Sequence, residues 1–578
     1  MTVKLAKTAG FCMGVRRAVD IVLDIAGRKG TGPVYTYGEI IHNPQTVDLL
    51  RKRGIIPVRT IDEIDGGTVV IRAHGISPQE RRRLKERDIT VIDATCPRVG
   101  RVQSIIKKHT SLGYDIIIVG DSEHPEVTGL MGYAEPGGIV ISSSEEVDGL
   151  PPLGRVCVVA QTTQNAAHYE RVVKKIKETY SDVLVFNTIC DSTERRQAEI
   201  VRMTAEMDTM IIVGGKNSAN TKQLLVLSQK SGIPSFQVET AEDLQDIDLG
   251  QAGTIGVSAG ASTPNWITDG VVDYLTMYRK DRGKRYLGSL YRIWLFCIRT
   301  DIWSAVGAGS LTAVGMALQG LALSWVNVLV AAFYVFSMHT LNRLQDRYLA
   351  NIQGSFRDET YLRHRTSYSA ASFISLALAI ILSFFAGTAP FVSLVLISIF
   401  GYFYGVRIFP AGWPFKSLKN IPGSKNIFIA LAWAVVAALV SSLGAADVSP
   451  GAALMAFAFV FLLVFMKSVI TDLVDVQSDR LVGRETFPVV MGEYFSRRLV
   501  KSISLATAVM LVAATWAGPA PPLALSLLAA VFYVWICLEL CDRKAHFSRT
   551  ALEGFFGTIY IIAGMGVLIW RTVERLLF

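Results

Sequence analysis

Apolar residues obey two different rules along this chain. Up to about Arg285 they come in short runs rich in Val and Ile, as in TVVIRA, DIIIVG, RVCVVAQ and TMIIVG, and the intervening stretches mix charged and apolar residues at helical spacing. Short buried strands alternating with amphipathic helices predict an α/β fold built on parallel sheets. From about Ile302 to Trp570 the apolar runs lengthen to about 17–22 residues, enough to cross a bilayer as helices. Nine such runs are predicted, at 303–322, 325–341, 369–387, 390–406, 427–444, 451–469, 502–517, 521–541 and 552–570, separated by Pro, Gly or basic clusters. A soluble α/β half is thus expected to precede an all-α membrane half.

The soluble half repeats itself. Cys96 in VIDATCP and Cys190 in VFNTIC follow β-branched runs 94 residues apart, and Gly120 and Gly214 show the same offset. Gly38 takes the corresponding place after Cys12, and four positions beyond these glycines stand His42, His124 and Ser218. A third signal, an apolar run and a polar turn, brings His74, Thr162 and Ser262. Three similar α/β units are expected, packed about a pseudo-threefold axis as a trefoil, with the loops beyond their strand ends meeting at one point. That point would hold Cys12, Cys96 and Cys190. Three soft sulfur ligands without a nearby fourth suit an iron–sulfur cluster with one iron open, although a buried cysteine taken singly can equally be a core residue. Cys157, inside a strand run, is read as such a core residue.

Around this centre the loops offer His42, His74, His124, Thr162, Ser218, Asn220 and Ser262. Imidazoles that can become cationic, together with hydroxyl and amide donors, describe an anion site suited to a diphosphate. Glu126, two residues after His124, stands where it can relay protons or, alternatively, only cap a helix.

Composition sharpens this division. The 578 residues are 51% hydrophobic and 19% charged, with a mean hydropathy of +0.36, which excludes a disordered chain, a collagen-like repeat and a disulfide-rich secreted scaffold. The net charge of +9 is concentrated between apolar runs, as the positive-inside rule requires, so no nucleic-acid partner is expected. The start, MTVKLAKTAGFCMGV, lacks the apolar core of a secretory signal, which places this half in the reducing cytoplasm and argues against disulfides. Two polar clusters lie beside spans. HTLNRLQDRY carries Asn342 and Asp346, and KSVITDLVDVQSDRLVGRETFP carries Asp472, Asp475 and Asp479 on one helix face. Such oxygens can hold Mg²⁺ against a diphosphate leaving group, or can be solvated helix ends.

GFCMGVRRAV, GEIIHNPQ, RAHGIS, DATCP, GDSEHPEVTG, AQTTQ, NTIC, GGKNSANT and GASTP run in order through the three units, and together they resemble the 4-hydroxy-3-methylbut-2-enyl diphosphate reductase family. The resemblance implies a [4Fe–4S] cluster on Cys12, Cys96 and Cys190. It also implies Glu126 as proton donor with Thr162 assisting, and a diphosphate held by His42, His74, His124, Ser218, Asn220 and Ser262. Ala219 stands where some members carry a second serine. Such enzymes reductively remove a hydroxyl as water, with electrons from a ferredoxin or flavodoxin. The membrane half resembles the UbiA superfamily of prenyltransferases through its spans and the D-x-x-D-x-x-x-D-R-x-x-G-R-x-T-F-P run. This resemblance implies Mg²⁺ on Asn342, Asp346, Asp475 and Asp479, with Arg343 and Ala350 replacing two expected aspartates. YFYGVRIFPAGWPFKSLKN adds Arg407, Lys416 and Lys419 as diphosphate contacts.

The expected organisation is a reductase domain at 1–280, a basic linker at 281–294 able to press on anionic lipid, and a prenyltransferase domain at 295–578. An inactive membrane anchor and a transporter with a regulatory cluster are the competing readings of the second half.

Overall fold

In the computed structural model, twelve short strands pair into three parallel four-stranded sheets among the described residues. The described residues are 2–27, 32–135, 137–249, 252–278, 285–345, 364–404, 421–445, 448–482, 484–518, 520–542 and 549–577, with the single positions 410, 418 and 547. The chain divides into two units, Met1–Arg279 and Lys280–Phe578.

In the first unit the strands are β1 (Thr2–Leu5), β2 (Val34–Tyr37), β3 (Ile55–Val58), β4 (Thr68–Ile71), β5 (Thr90–Asp93), β6 (Asp115–Val119), β7 (Gly138–Ile141), β8 (Arg155–Ala160), β9 (Asp182–Val185), β10 (Thr209–Val213), β11 (Ser235–Val238) and β12 (Thr254–Ala259). Eight α-helices lie between them, α1 (Met13–Ala26), α2 (Pro44–Lys52), α3 (Pro78–Lys85), α4 (Pro97–Ser111), α5 (Pro125–Met131), α6 (Ala166–Thr179), α7 (Asp191–Thr204) and α8 (Ala219–Lys230), and α9 (Asn265–Tyr278) follows β12. The sheet orders are β3-β2-β4-β5, β7-β6-β8-β9 and β11-β10-β12-β1. The third sheet is completed by the N-terminal strand, so the repeat is circularly closed: β1, β5 and β9 each lead to one of the three cysteines.

Central strands are apolar on both faces because helices cover both. In the second sheet Ile117, Val119, Val156, Val158 and Ala160 pack with Tyr169, Val172 and Ile176 of α6. Ile116, Ile118, Cys157 and Val159 face the other way, onto Val102 and Ile106 of α4 and Val127 and Leu130 of α5. Each fully buried Val or Ile contributes about 1.5–3 kcal/mol, which fixes the register of the strands whose ends carry the site.

The second unit is helical: α10 (Arg285–Arg299), α11 (Ile302–Leu318), α12 (Trp325–Gln345), α13 (Arg365–Ala386), α14 (Thr388–Tyr404), α15 (Ser424–Leu443), α16 (Pro450–Val482), α17 (Phe487–Met491), α18 (Glu493–Ala517), α19 (Leu528–Asp542) and α20 (Arg549–Leu577). All nine apolar runs fall on helices, but the count of spans is lower than nine among the described residues. Seven are long and apolar enough to cross a membrane, an eighth is a pair bent by 84° at residues 299–302, and the run at 390–406 belongs to a shorter apolar helix, Thr388–Gly401. The predicted linker is helical from Arg285. The run at 451–469 is the first part of a 33-residue helix, about 50 Å long, that carries its three aspartates beyond the apolar stretch.

Candidate functional site

Cys12, Cys96 and Cys190 occupy equivalent places, each the N-cap of the helix that follows, α1, α4 or α7. A helix N-terminus carries partial positive charge, so thiolates and the anionic group they would bind are favoured there. Each cysteine N–H is also held by a neighbouring loop: Cys12 donates to the Ala261 carbonyl at 3.0 Å, Cys96 to Ala73 at 2.9 Å and Cys190 to Thr162 at 2.9 Å. These are the loops that bring Ser262, His74 and Thr162. A second ring of contacts uses arginines. Arg17, after Cys12, donates to the Thr95 carbonyl at 3.1 Å; Arg98, after Cys96, pairs with Asp191 beside Cys190; and Arg196, after Cys190, donates to Gly10 at 2.7 Å and Ala259 at 3.1 Å.

The three sulfurs share one environment. Burial pushes the Cys96 thiol up, and the neighbouring Cys12 and Cys190 add to the rise. Arg196, buried, is the cation within reach of both Cys12 and Cys190. A side chain at Gly14 would place its Cβ 2.5 Å from the Cys96 sulfur and 4.0 Å from that of Cys12, so only glycine leaves the space between these sulfurs open. A soft donor set at three helix N-termini, with glycine rather than a side chain beside two of the sulfurs, fits a thiolate-held iron–sulfur group. Cys157 is different: it lies in the interior of β8, fully buried, and burial pushes its thiol up to about 12.

Beside the cysteines the three histidines converge. The rings of His42 and His74 stack with centroids 4.5 Å apart, and His124 stands 5.6 Å from His42 and 5.4 Å from His74. One nitrogen from each lies within 4.8 Å of the others, close enough for a metal ion. The wiring of His124 argues for an anion instead. Its Nδ1 accepts the N–H of Glu126 at 3.1 Å, so the neutral ring carries its proton on Nε2 and presents a donor rather than a lone pair. His42 Nε2 and His74 Nδ1 are buried without a partner among the described residues. The expectation of cationic imidazoles is corrected: burial, with Arg72 and the neighbouring rings, lowers His42, holds His74 well below its ordinary value and takes His124 to about 4. An arriving diphosphate would reverse that shift, because a nearby negative charge favours the protonated ring. Binding of inorganic diphosphate is therefore expected to take up protons and to tighten as pH falls from about 8 to 6, by up to about tenfold per pH unit for each proton. Calorimetry in two buffers of different ionisation enthalpy checks this; heats independent of the buffer contradict it.

Glu126 is buried, and both of its oxygens are engaged by one residue: Oε1 accepts the Thr162 N–H at 2.7 Å and Oε2 the Thr162 hydroxyl at 2.8 Å. Burial raises its carboxyl above the ordinary range, with the Thr162 contacts opposing. In the third unit Ser218 caps α8, Ala219 is its first residue, and Asn220 is buried with both amide atoms lacking partners among the described residues. Ser262 is half-buried on the loop whose Ala261 carbonyl holds Cys12. A Cβ at Gly215 would meet the His42 carbonyl at 3.0 Å, which brings the third unit's loop against the first unit's histidine.

In the helical unit Asp472, Asp475 and Asp479 share one side of α16 but differ in their partners. Asp472 is neutralised by Lys425 at 2.7 Å and by Asn426 at 2.8 Å. Asp475 pairs with Arg549 at 2.8 Å. Asp479 is buried, stands 3.7 Å from Arg484, and keeps its Oδ2 without a partner among the described residues. That bare buried oxygen fits a cation. Asn342 is exposed on the last turn of α12, while Asp346, Ala350, Arg407, Lys416 and Lys419 lie outside the described residues. Arg343, where the UbiA pattern has an aspartate, reaches Asp301 at 3.3 Å.

Residues 3–276 match the LytB protein family and residues 302–559 the UbiA prenyltransferase family. The first half is 38% identical over 284 residues to the 4-hydroxy-3-methylbut-2-enyl diphosphate reductase of Geotalea daltonii, spanning 49% of this chain and 100% of that one. The chain belongs to the LytB protein family. The enzyme of the same name from Aquifex aeolicus is 42% identical over 270 residues, 46% of this chain and 93% of its own. Among solved structures, the E-1-hydroxy-2-methyl-but-2-enyl-4-diphosphate reductase from Plasmodium falciparum aligns with 50% of this chain and 98% of its own at 28% identity and a TM-score of 0.46. A UbiA homolog from Archaeoglobus fulgidus bound to GPP and Mg²⁺ aligns with 48% of this chain and 98% of its own at 18% identity and a TM-score of 0.36.

In the LytB half, Gly14 and Arg196 fall inside motif stretches of the sequence, but the sequence reading gives neither a role. The spacing offered a clue for each, since Arg196 follows Cys190 by six residues on a helix and Gly14 follows Cys12 by two. In the UbiA half it names Asp475 and Asp479 but not Asp472 as metal ligands, and the pairing of Asp472 with Lys425 carries no signal in the spacing.

Proposed function

We propose that the LytB half reduces (E)-4-hydroxy-3-methylbut-2-enyl diphosphate to isopentenyl and dimethylallyl diphosphates, and that the UbiA half transfers a prenyl group at the membrane. The observation that carries the first claim is the threefold ring of capped cysteines beside a buried, doubly anchored Glu126. When bound by Cys12, Cys96 and Cys190, a [4Fe–4S] cluster would supply one-electron transfer and an iron for the substrate hydroxyl. In the balanced reaction the allylic C–O bond breaks, two electrons arrive from a ferredoxin- or flavodoxin-type carrier, one proton leaves with the hydroxyl as water and a second reaches carbon. His42, His74, His124, Ser218, Asn220, Ser262 and the N-terminus of α8 at Ala219 hold the diphosphate. Glu126, whose carboxyl burial raises above the ordinary range, delivers a proton, and Thr162 fixes the carboxyl's direction.

Glu126→Gln is expected to keep its iron and lose about 10²–10⁴-fold in turnover, because an amide holds the shape but has no acidic proton. Iron analysis and dye-driven reduction test this; undiminished turnover excludes the role. Since the acid form is the active one, the wild-type rate should fall as pH rises through the elevated Glu126 value, and the variant should lose that limb.

For the UbiA half, Asp475 and Asp479, with Asn342 and Asp346, are the proposed Mg²⁺ ligands. The competing reading, an inactive UbiA-like anchor, is favoured by Arg343 and Ala350 and by the Arg549 contact to Asp475. Labelled prenyl transfer by membranes holding the full chain separates the two. The LytB half is assigned to the cytoplasm, and the multi-pass UbiA domain exposes its basic loops on that side.

A further inference from the structure

The helix at the start of the UbiA half is built unlike the spans. Leu295 and Ile298 of α10 are buried, and Trp294 lies tilted against Phe555 of α20 at 5.4 Å and edge-on to Trp303 of α11 at 6.3 Å. A Cβ at Gly554 of α20 would lie 2.2 Å from Ile298 and 2.5 Å from Trp294, so α10 sits directly on the α20 backbone. The corner into α11 is equally fixed. Asp301 has φ of 60°, a left-handed conformation uncommon outside glycine, is 1% exposed, and is paired with Arg343. The resulting bend is 84°, so α10 runs almost at right angles to a helix that enters the bilayer.

The side of α10 turned away from the bundle is apolar. Leu290, Ile293 and Phe296 are 65%, 59% and 58% exposed and lie three apart, on one face. Arg285, Arg292 and Arg299 stand seven apart in the sequence of this segment. One face packed on the bundle and one apolar and open, in a segment rich in arginine, is the pattern of a helix lying at a membrane surface. Ile302 and Val306 continue the exposed apolar surface down α11, at 37% and 47%.

We propose that α10 lies in the plane of the cytoplasmic leaflet, with Leu290, Ile293 and Phe296 at the boundary between headgroups and acyl chains. Arg343, lost from the metal-binding pattern, serves this corner by holding Asp301. The inference rests on the membrane-embedded reading of the second half.

The test places a genetically encoded fluorescent amino acid at Ile293 of the full chain in anionic nanodiscs, with Ile381 on α13 as a control. Nitroxide lipids labelled near the headgroup are expected to quench the Ile293 probe at least about twofold more than lipids labelled deep in the chain, as for a side chain buried only about 5–10 Å. The Ile381 probe should show quenching by acyl-chain labels whichever result Ile293 gives. Dominant deep quenching at Ile293 would make α10 part of a broken span, and dominant quenching by aqueous iodide would remove it from lipid; either overturns the proposal. Failure of both lipid labels to quench at Ile381 would instead overturn the membrane reading.

Discussion

Cys190→Ser, purified without oxygen, is expected to carry little iron and to lose reductase turnover by more than the about 10–100-fold that removing a supporting group costs a metal site. The N-cap position can accept serine, since a hydroxyl caps a helix well, so the fold should survive while the soft ligand is lost. Cys12→Ser and Cys96→Ser should behave alike, because their caps, N–H partners and arginine contacts are equivalent. Cys157→Ser should behave differently. Its thiol is packed inside β8 against α4 and α5, and a hydroxyl there costs about 1–3 kcal/mol unless it finds a partner, lowering the melting temperature while iron and specific activity persist. Iron loss on Cys157→Ser equal to that on Cys190→Ser would dismiss the assignment.

Asp479→Ala should abolish prenyl transfer and leave reduction unchanged. Its Oδ2 is a buried carboxylate oxygen without a partner among the described residues, and a metal bound there would offset several kcal/mol of developing diphosphate charge, about 10²–10³-fold in rate. Asp472→Ala should act on stability instead, since it strands Lys425 and Asn426 inside the bundle. The pair of variants separates a metal ligand from a structural carboxylate on the same helix. Transfer that survives Asp479→Ala favours a site built elsewhere; absence of transfer in the unmodified chain favours the anchor.

The α/β units were legible because their determinants are local: Val- and Ile-rich strands, proline at the first turn of α2, α3, α4 and α5, and cysteines at a fixed offset. The closing of the third sheet by β1 was not, since Thr2–Leu5 pairs with Thr254–Val257 across almost the whole first half and four residues carry no signal of such a partner. Histidines were recognised as a group, but their charge state depends on burial and on the mutual approach of three rings, which spacing does not reveal. Arg196 looks like any helical arginine until Gly10 and Ala259 are seen to accept from it. The apolar runs of the UbiA half predicted helices correctly, whereas the right-angled corner at Asp301 depends on one backbone conformation and one ion pair. The run expected at 303–322 gives no sign that a helix turned through 84° precedes it.

The central claim is that one chain joins a LytB reductase to a UbiA membrane domain, and the reductase chemistry is its most direct test. The full chain, purified anaerobically in lipid nanodiscs, is given (E)-4-hydroxy-3-methylbut-2-enyl diphosphate and a reduced dye. Iron and sulfide in the protein, with conversion to isopentenyl and dimethylallyl diphosphates that Glu126→Gln suppresses, is the predicted result. A colourless protein binding zinc, or an iron–sulfur protein that leaves the substrate unchanged, would contradict it.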